Sequence, residues 1–446
     1  MALRRISAAV ALFGSRRAAF VLAGLLVALH LAAFSCRAVV GANTTPDSAE
    51  YLLCARNAAE GLGFQANSDD GPRSEEAVTR RPPGYPALLL AVGRSGTAAM
   101  ALQVLLSLAT VGLCLLFLKR SGGSPASACF LLAGFLFAPS QIVYATSIMS
   151  EIPFQFCLTA GFLAAILHFE DRAAGGTSLK WISLSATAFC AGLLVKPVLY
   201  PAALLFSAAG LAVTARRREF RALPAVLAPA LCVLALAGWN CSRTGAFEVS
   251  SIQTTNMLDV NMKMVLYQAE GAERAERTID SLEAEAAAIA DYPARQAFRA
   301  EQSRRILRGH PGIAVRQFAK GVVLFFLDPG RFDLVTYAGI DDGNGLMYAL
   351  AARDSGAVGR ILRAMPLWLW AVLAAVFAFN AARAALYAKF LLRTKGRAAA
   401  KVLLSCGIAY VALAGGPLGV SRYALPVVPL VLVGAALSFA DGKKVS

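Results

Sequence analysis

The amino-acid sequence predicts an all-α polytopic membrane protein, a bundle of about ten transmembrane helices whose core faces lipid rather than water. Three observations carry this. Of 446 residues, 57% are hydrophobic and 16% charged, with a mean hydropathy of +0.59, whereas soluble chains are about half apolar and about one quarter charged. Ten apolar stretches each come close to the roughly 20 residues a helix needs to cross a bilayer. Basic residues, finally, crowd into every second loop between those stretches.

The spans run at about 18–40, 98–118, 125–145, 152–169, 180–197, 198–214, 222–239, 365–386, 400–417 and 424–440. "MALRRISAAVALFGSRR" is basic, but the apolar run behind it, Ala18 to Val40, is long enough to stay as a spanning helix rather than a cleaved signal. Arg4, Arg5, Arg16, Arg17, Lys119, Arg120, the "RRREFR" cluster 216–221, Arg383 to Lys401 and Lys443–Lys444 then share one side. That side holds about 20 of the basic residues and about 4 of the acids, Glu170, Asp171, Glu219 and Asp441, which makes it cytoplasmic and places both termini there. The formal net charge of +16 belongs to this face. Orientation and attraction to anionic lipid account for it, and no nucleic-acid partner is expected.

The nine cysteines make no disulfide framework. Cys114, Cys129, Cys157, Cys190, Cys232 and Cys406 lie in apolar stretches, where a thiol is a small hydrophobe. Cys36, Cys54 and Cys241 fall near the outer face, which leaves a single bridge open. His30, His168 and His310 are scattered, so no zinc-site spacing is present and no metal is expected.

Three parts follow: an N-terminal transmembrane module, 1–239, which includes the first outside loop, 41–97; a second outside segment, 240–364; and C-terminal transmembrane helices, 365–446. In the first loop, "DSAEYLLCARNAAEGLGF" places Tyr51, Leu52, Ala55, Ala58, Ala59 and Leu62 at helical spacing, a short amphipathic helix along the membrane surface ended by Gly61 and Gly63. "RRPPGYPALLLAVG" then returns to the interface, its two prolines favouring an extended approach to a second apolar helix. In the second segment, charged helix formers predict helices on or above the membrane. "GVVLFFL", 321–327, is too short to cross, and crossing there would place the basic loops that follow outside.

Ionisable groups at membrane depth are costly and mark functional sites. Six fall near the outer ends of helices: Asp47, Arg81, Glu151, Lys196, Arg243 and Arg422, with Glu50, Tyr85 and Tyr423 beside them. Each has a plain structural reading. Asp47 and Glu151 suit helix N-caps; Arg81, Lys196 and Arg422 suit cations reaching for headgroups. Taken together, on one face and on different helices, they suit another chemistry. Cations grip the phosphate of a lipid carrier, and a carboxylate takes the proton of an incoming hydroxyl or amine.

The runs "DSAEYLLCARNAAEGLGF…RRPPGYPALLLAVG", "SEIPF", "GLLVKPVLYPAALL", "GWNCSRTGAFEVSS" and "SRYALPVVPLVLVGAAL" resemble the GT-C glycosyltransferases. Within these they are most similar to the bacterial branch of lipid A aminoarabinose transferases and relatives of the protein O-mannosyltransferases. The resemblance covers most of 18–275 and 400–440. It implies a bundle of ten to thirteen spans with interfacial helices in the first periplasmic loop, in the bacterial inner membrane. It further implies Asp47 as the acid activating the acceptor, Glu151 as a second acid, and Arg81 and Lys196 as holders of the lipid phosphate. Arg243 and Arg422 fall where members often carry arginine. The donor so implied is a polyprenyl-phosphate sugar such as an undecaprenyl-linked one, used without a cofactor, with sugar and acceptor left open. The lone Asp47–Ser48, in place of a paired acid, weakens a protein acceptor. A flippase or transporter of such an amphiphile, and a ligase or polymerase of lipid-linked glycans, remain alternative readings of the same residues.

Overall fold

A computed structural model describes residues 15–68, 73–176, 179–340, 345–351 and 354–439. Among them every regular element is a helix, apart from an isolated bridge between Asn43 and Ser147. Arg4, Arg5, Asp441, Lys443 and Lys444 lie outside the described residues.

Among the described residues, six helices are long and apolar enough to cross a membrane: Arg16–Val40, Gly96–Arg120, Glu151–Ala173, Pro197–Arg217, Phe220–Thr244 and Leu367–Arg393. Pro125–Leu136 and Pro139–Ala145 make a seventh if taken as one broken span, bent by 61°, where Pro139 supplies no backbone N–H to carry the ladder through. The shorter apolar helices Leu179–Val195, Ala398–Ala414 and Ser421–Leu437 complete the set. Each expected span coincides with one of these, so the chain is a multi-pass, all-α membrane protein.

Glu151–Ala173 is the most enclosed of the long helices, packed against Gly96–Arg120, Leu179–Val195 and Ala398–Ala414. Ser421–Leu437 is buried along almost its whole length. Lipid-facing side chains such as Phe20, Leu105, Leu205 and Trp368 stay exposed on the outer helices, as apolar solvent allows.

Two expectations are corrected. Arg383, counted with the basic residues of the cytoplasmic side, is buried inside the helix Leu367–Arg393, which runs on past the expected end of that span at 386. The approach to the helix Gly84–Ala91 is a compact turn rather than extended. Pro83 has φ −72° and ψ −16°, a near-helical backbone that its ring favours before a first turn. Gly84 follows it where a Cβ would stand 2.6 Å from the Leu194 carbonyl, so only glycine lets this helix touch the end of Leu179–Val195.

The described residues of 240–364 are mostly helical, with helices Ala272–Ala288, Tyr292–Gly309 and Pro311–Leu327 around a small core of Leu258, Val265, Leu266, Ala275, Ile279 and Ala314. "GVVLFFL" is the end of Pro311–Leu327 and packs beside Leu367–Arg393 and the turn at Ser421. All nine cysteines are free.

Candidate active site

The first span ends at Gly41, and Asn43 then pairs with the turn that follows the bent span. Its N–H donates to the Thr146 carbonyl at 3.2 Å, and its carbonyl accepts from Ile148 N–H at 3.0 Å. Gln103 fixes the same turn from inside the bundle. Its Nε2 donates to the carbonyls of Tyr144, Ala145 and Ser147 at 3.2, 3.3 and 2.6 Å, while its Oε1 accepts from Tyr85 Oη at 2.6 Å. These bonds bring the helix Pro46–Ala59 against the start of Glu151–Ala173. Neither Asp47 nor Glu151 is an N-cap. Thr45 and Ser150 hold those positions, and the two acids stand in the first turns beyond.

Six of the expected side chains form one ion network. Arg81 donates from Nη2 to Asp47 Oδ1 at 2.5 Å and from Nε to Glu50 Oε2 at 2.7 Å. Arg422 donates from Nη2 to Asp47 Oδ2 and from Nε to Glu151 Oε1 at 2.7 Å. Lys196 Nζ reaches the same Glu151 oxygen at 2.9 Å. Arg80, not anticipated, pairs with Glu50 at 3.5 Å. Arg81 also lies over the Tyr51 ring, 4.7 Å from its centroid. Tyr51 is held by Ser150 at 2.8 Å and by an edge contact with Tyr85.

The remaining expected residues are placed differently. Tyr85 is buried behind Tyr51 and serves Gln103. Tyr423 lines the cavity described next. Arg243 is not brought into the network: it lies on the Trp239 ring and donates to the Phe64 carbonyl and to Asn240, tying the end of the first-loop helix region to the span Phe220–Thr244.

Electrostatics decide the protonation of Asp47. Burial works to raise its carboxyl, but the charges of Arg422 and Arg81, and their hydrogen bonds, outweigh it and hold the group well below the usual carboxylate range. Glu151 is fully buried, and its Oε2 has no hydrogen-bond partner.

Two cavities open on the network. The larger, about 370 Å³, is lined by Arg80, Arg81, Lys196 and Arg422, by apolar and aromatic groups such as Tyr200, Val260, Tyr410 and Val411, and by the amides of Gln253, Asn256 and Asn261. The segment Met257–Met262, which winds as a π-helix, supplies another side of it. The second cavity, about 290 Å³, includes Asp47, Tyr144, Asp333 and Thr336 in its lining, and Arg422 again. Arg422 is therefore the wall between them.

No protein-family model and no curated protein matches this chain. Two crystal structures are similar to it. One is ArnT from Cupriavidus metallidurans bound to undecaprenyl phosphate, with a TM-score of 0.38 and 15% identity over 92% of this chain and 77% of that one. The other is the same protein in the apo state, with a TM-score of 0.38 and 14% identity over 96% and 78%.

Proposed function

We propose that this protein is a membrane glycosyltransferase. In this reading it takes a sugar from a polyprenyl-phosphate donor at the outer, periplasmic face of a bacterial inner membrane and passes it to an acceptor hydroxyl or amine. One observation carries the reading. Four cations, Arg80, Arg81, Lys196 and Arg422, and three carboxylates, Asp47, Glu50 and Glu151, meet where a largely apolar cavity ends. Four positive and three negative charges leave one cation uncompensated. A phosphodiester on a greasy chain brings one negative charge and an apolar tail, which is the complement of this site.

The chemistry then follows from charge. The acceptor oxygen or nitrogen bonds to the anomeric carbon as the bond from that carbon to the phosphate oxygen breaks, through an oxocarbenium-like transition state. The acceptor proton passes to the Asp47 carboxylate. The phosphate leaves with a second negative charge, which Arg81, Lys196 and Arg422 stabilise as it grows. Attack from the side opposite the phosphate inverts the anomeric centre. Glu151 lines neither cavity; its part is to hold Lys196 and Arg422 toward the phosphate.

Bound to phosphate, Arg81 and Arg422 give up part of their hold on Asp47. Its proton affinity rises toward what a base needs, so donor binding prepares the acid for its task. The test is reconstitution in liposomes with radiolabelled polyprenyl-phosphate sugar and envelope extract as acceptor. Covalent transfer that falls about 10²- to 10⁴-fold in Asp47→Asn is the expected result. Label that crosses the bilayer without product would instead make the protein a carrier.

A further inference from the structure

The smaller cavity has a chemistry of its own. It lies between Asn43–Thr45 with the first turn of Pro46–Ala59, the bent half-span at Val143 and Tyr144, and the helix Arg331–Ala338, which contributes Phe332, Asp333 and Thr336. Its two groups from the ion network, Asp47 and Arg422, are paired with each other. Among the described residues, no cation lines this cavity apart from Arg422, already paired with Asp47. It offers hydroxyls from Thr44, Thr45 and Thr336, and the ring of Phe332, 53% exposed. Polar edges around an apolar face are what a neutral, hydroxyl-rich ring asks of its pocket.

Asp333 is the most constrained group in that lining. Ser140 and Ser421 donate to its Oδ2 at 2.5 and 2.7 Å, and Tyr144 donates to its Oδ1 at 2.8 Å. A carboxylate has about four acceptor sites. Three are taken, and the fourth, on Oδ1, remains for an incoming O–H. Ser421 precedes Arg422 in the chain, so the carboxylate that meets such a hydroxyl also braces the turn carrying the phosphate-binding arginine.

We propose that this second cavity is the sugar chamber of the donor, with Asp333 as a specificity-determining residue that accepts a sugar hydroxyl and Thr336 at the chamber wall. The inference rests on the function proposed above: tail in the larger cavity, phosphate at Arg422, sugar beyond it. Arg422 lines both cavities, so in this reading a single donor spans them, and a lipid without its sugar reaches only the larger.

The experiment measures binding of two kinds of lipid to the full-length protein in nanodiscs. The first is bare undecaprenyl phosphate. The second is undecaprenyl phosphate carrying glucose, galactose, mannose or arabinose. In the wild type at least one sugar should improve affinity tenfold or more over the bare lipid. Thr336→Trp, which fills the chamber, should remove that gain while bare-lipid affinity stays within about twofold. Asp333→Asn, which turns an acceptor into a donor and also loosens the turn of Arg422, should remove the gain whatever it does to bare-lipid affinity. If Thr336→Trp does not fold, the ratio of sugar-lipid to bare-lipid affinity in Asp333→Asn carries the test. No sugar in the panel improving affinity in the wild type overturns the inference, as does equal loss of both lipids in the variants or retention of the gain. Wild-type protein that binds neither lipid overturns the functional reading itself, a distinguishable result.

Discussion

Arg422 holds two carboxylates at once, donating from Nη2 to Asp47 Oδ2 and from Nε to Glu151 Oε1 at 2.7 Å. It joins the first-loop helix, the start of Glu151–Ala173 and the last apolar helix through one guanidinium. Removing it leaves the fully buried Glu151 with Lys196 as its sole ion-pair partner. Breaking a buried pair this way costs about 3–5 kcal/mol. Arg422→Ala is therefore expected to unfold at markedly lower temperature in detergent than the wild type, with Arg422→Lys between them. Unchanged thermal unfolding in Arg422→Ala would show that the network does not hold the site together.

Glu151→Gln enlarges the imbalance. Lys196 and Arg422 lose the carboxylate between them, and the site gains one unit of positive charge. The variant should lose stability, and polyprenyl phosphate should restore more of it than in the wild type, since the ligand supplies the missing anion. Thermal shift with and without the lipid measures this. A variant as stable as the wild type, with no larger shift on adding lipid, would place Glu151 outside the phosphate-holding set.

Arg81 contacts Asp47, Glu50 and the Tyr51 ring. Hydrogen bonds to charged groups contribute about 1.5–3 kcal/mol each, so Arg81→Ala should raise the donor KM about tenfold to a hundredfold. Arg81→Lys keeps a point charge but loses the planar fork, and should raise it less. Steady-state transfer at varied donor concentration separates the two. Equal activity in both variants would remove Arg81 from donor binding.

Much of this site was legible in the sequence because the bilayer makes charge conspicuous. Asp47, Arg81, Glu151, Lys196 and Arg422 are ionisable groups next to apolar runs, and that alone marks them. The neutral groups that position them carry no such mark. Gln103 lies within an unbroken spanning stretch, and its role appears only when three carbonyls from a distant turn meet its amide. Asp333 sits in a segment without clear periodicity, and its significance depends on Ser140 and Ser421, both far away in the chain. Arg243 shows the opposite failure. Closeness to a helix end gives depth but not direction around the helix axis, and this side chain turns to Trp239 and the first loop.

The short run 321–327 illustrates how a segment outside the expected spans still packs against the site. A Cβ on Gly321 would stand 2.1 Å from the Gly416 carbonyl oxygen, and one on Gly419, at φ +56°, would stand 1.9 Å from the Gly321 carbonyl oxygen. Backbone meets backbone here, directly ahead of the turn that carries Arg422. Gly321→Ala forces the two apart at a cost of about 1–3 kcal/mol, as overpacking does. The expected outcome is lower thermal stability together with a raised donor KM, because the displaced loop carries a phosphate ligand. Lower stability with an unchanged donor KM would confine the contact to packing.

Glu76 gives the junction between the helices Glu75–Thr79 and Tyr292–Gly309 a pH dependence whose sign is fixed. It accepts from Arg295 at 3.1 Å and from Arg299 at 2.8 Å, and so fastens the helix Glu75–Thr79, just ahead of Arg80 and Arg81, to the helix Tyr292–Gly309. Burial works to raise its carboxyl, but Arg299, its own backbone N–H, Arg295 and Ser74 bring it down to about 2. An unfolded glutamate titrates at about 4.3. A depressed folded value means the stabilisation is complete above that unfolded value and is lost as pH falls toward about 2. Glu76→Gln should therefore be less stable than the wild type at pH 7, with the gap narrowing as pH is lowered through 4 toward 3 (about one to two units below neutral there is no change yet). Thermal unfolding of both proteins across that range measures the gap directly. A gap that is constant with pH would mean the clamp owes nothing to the charge on Glu76.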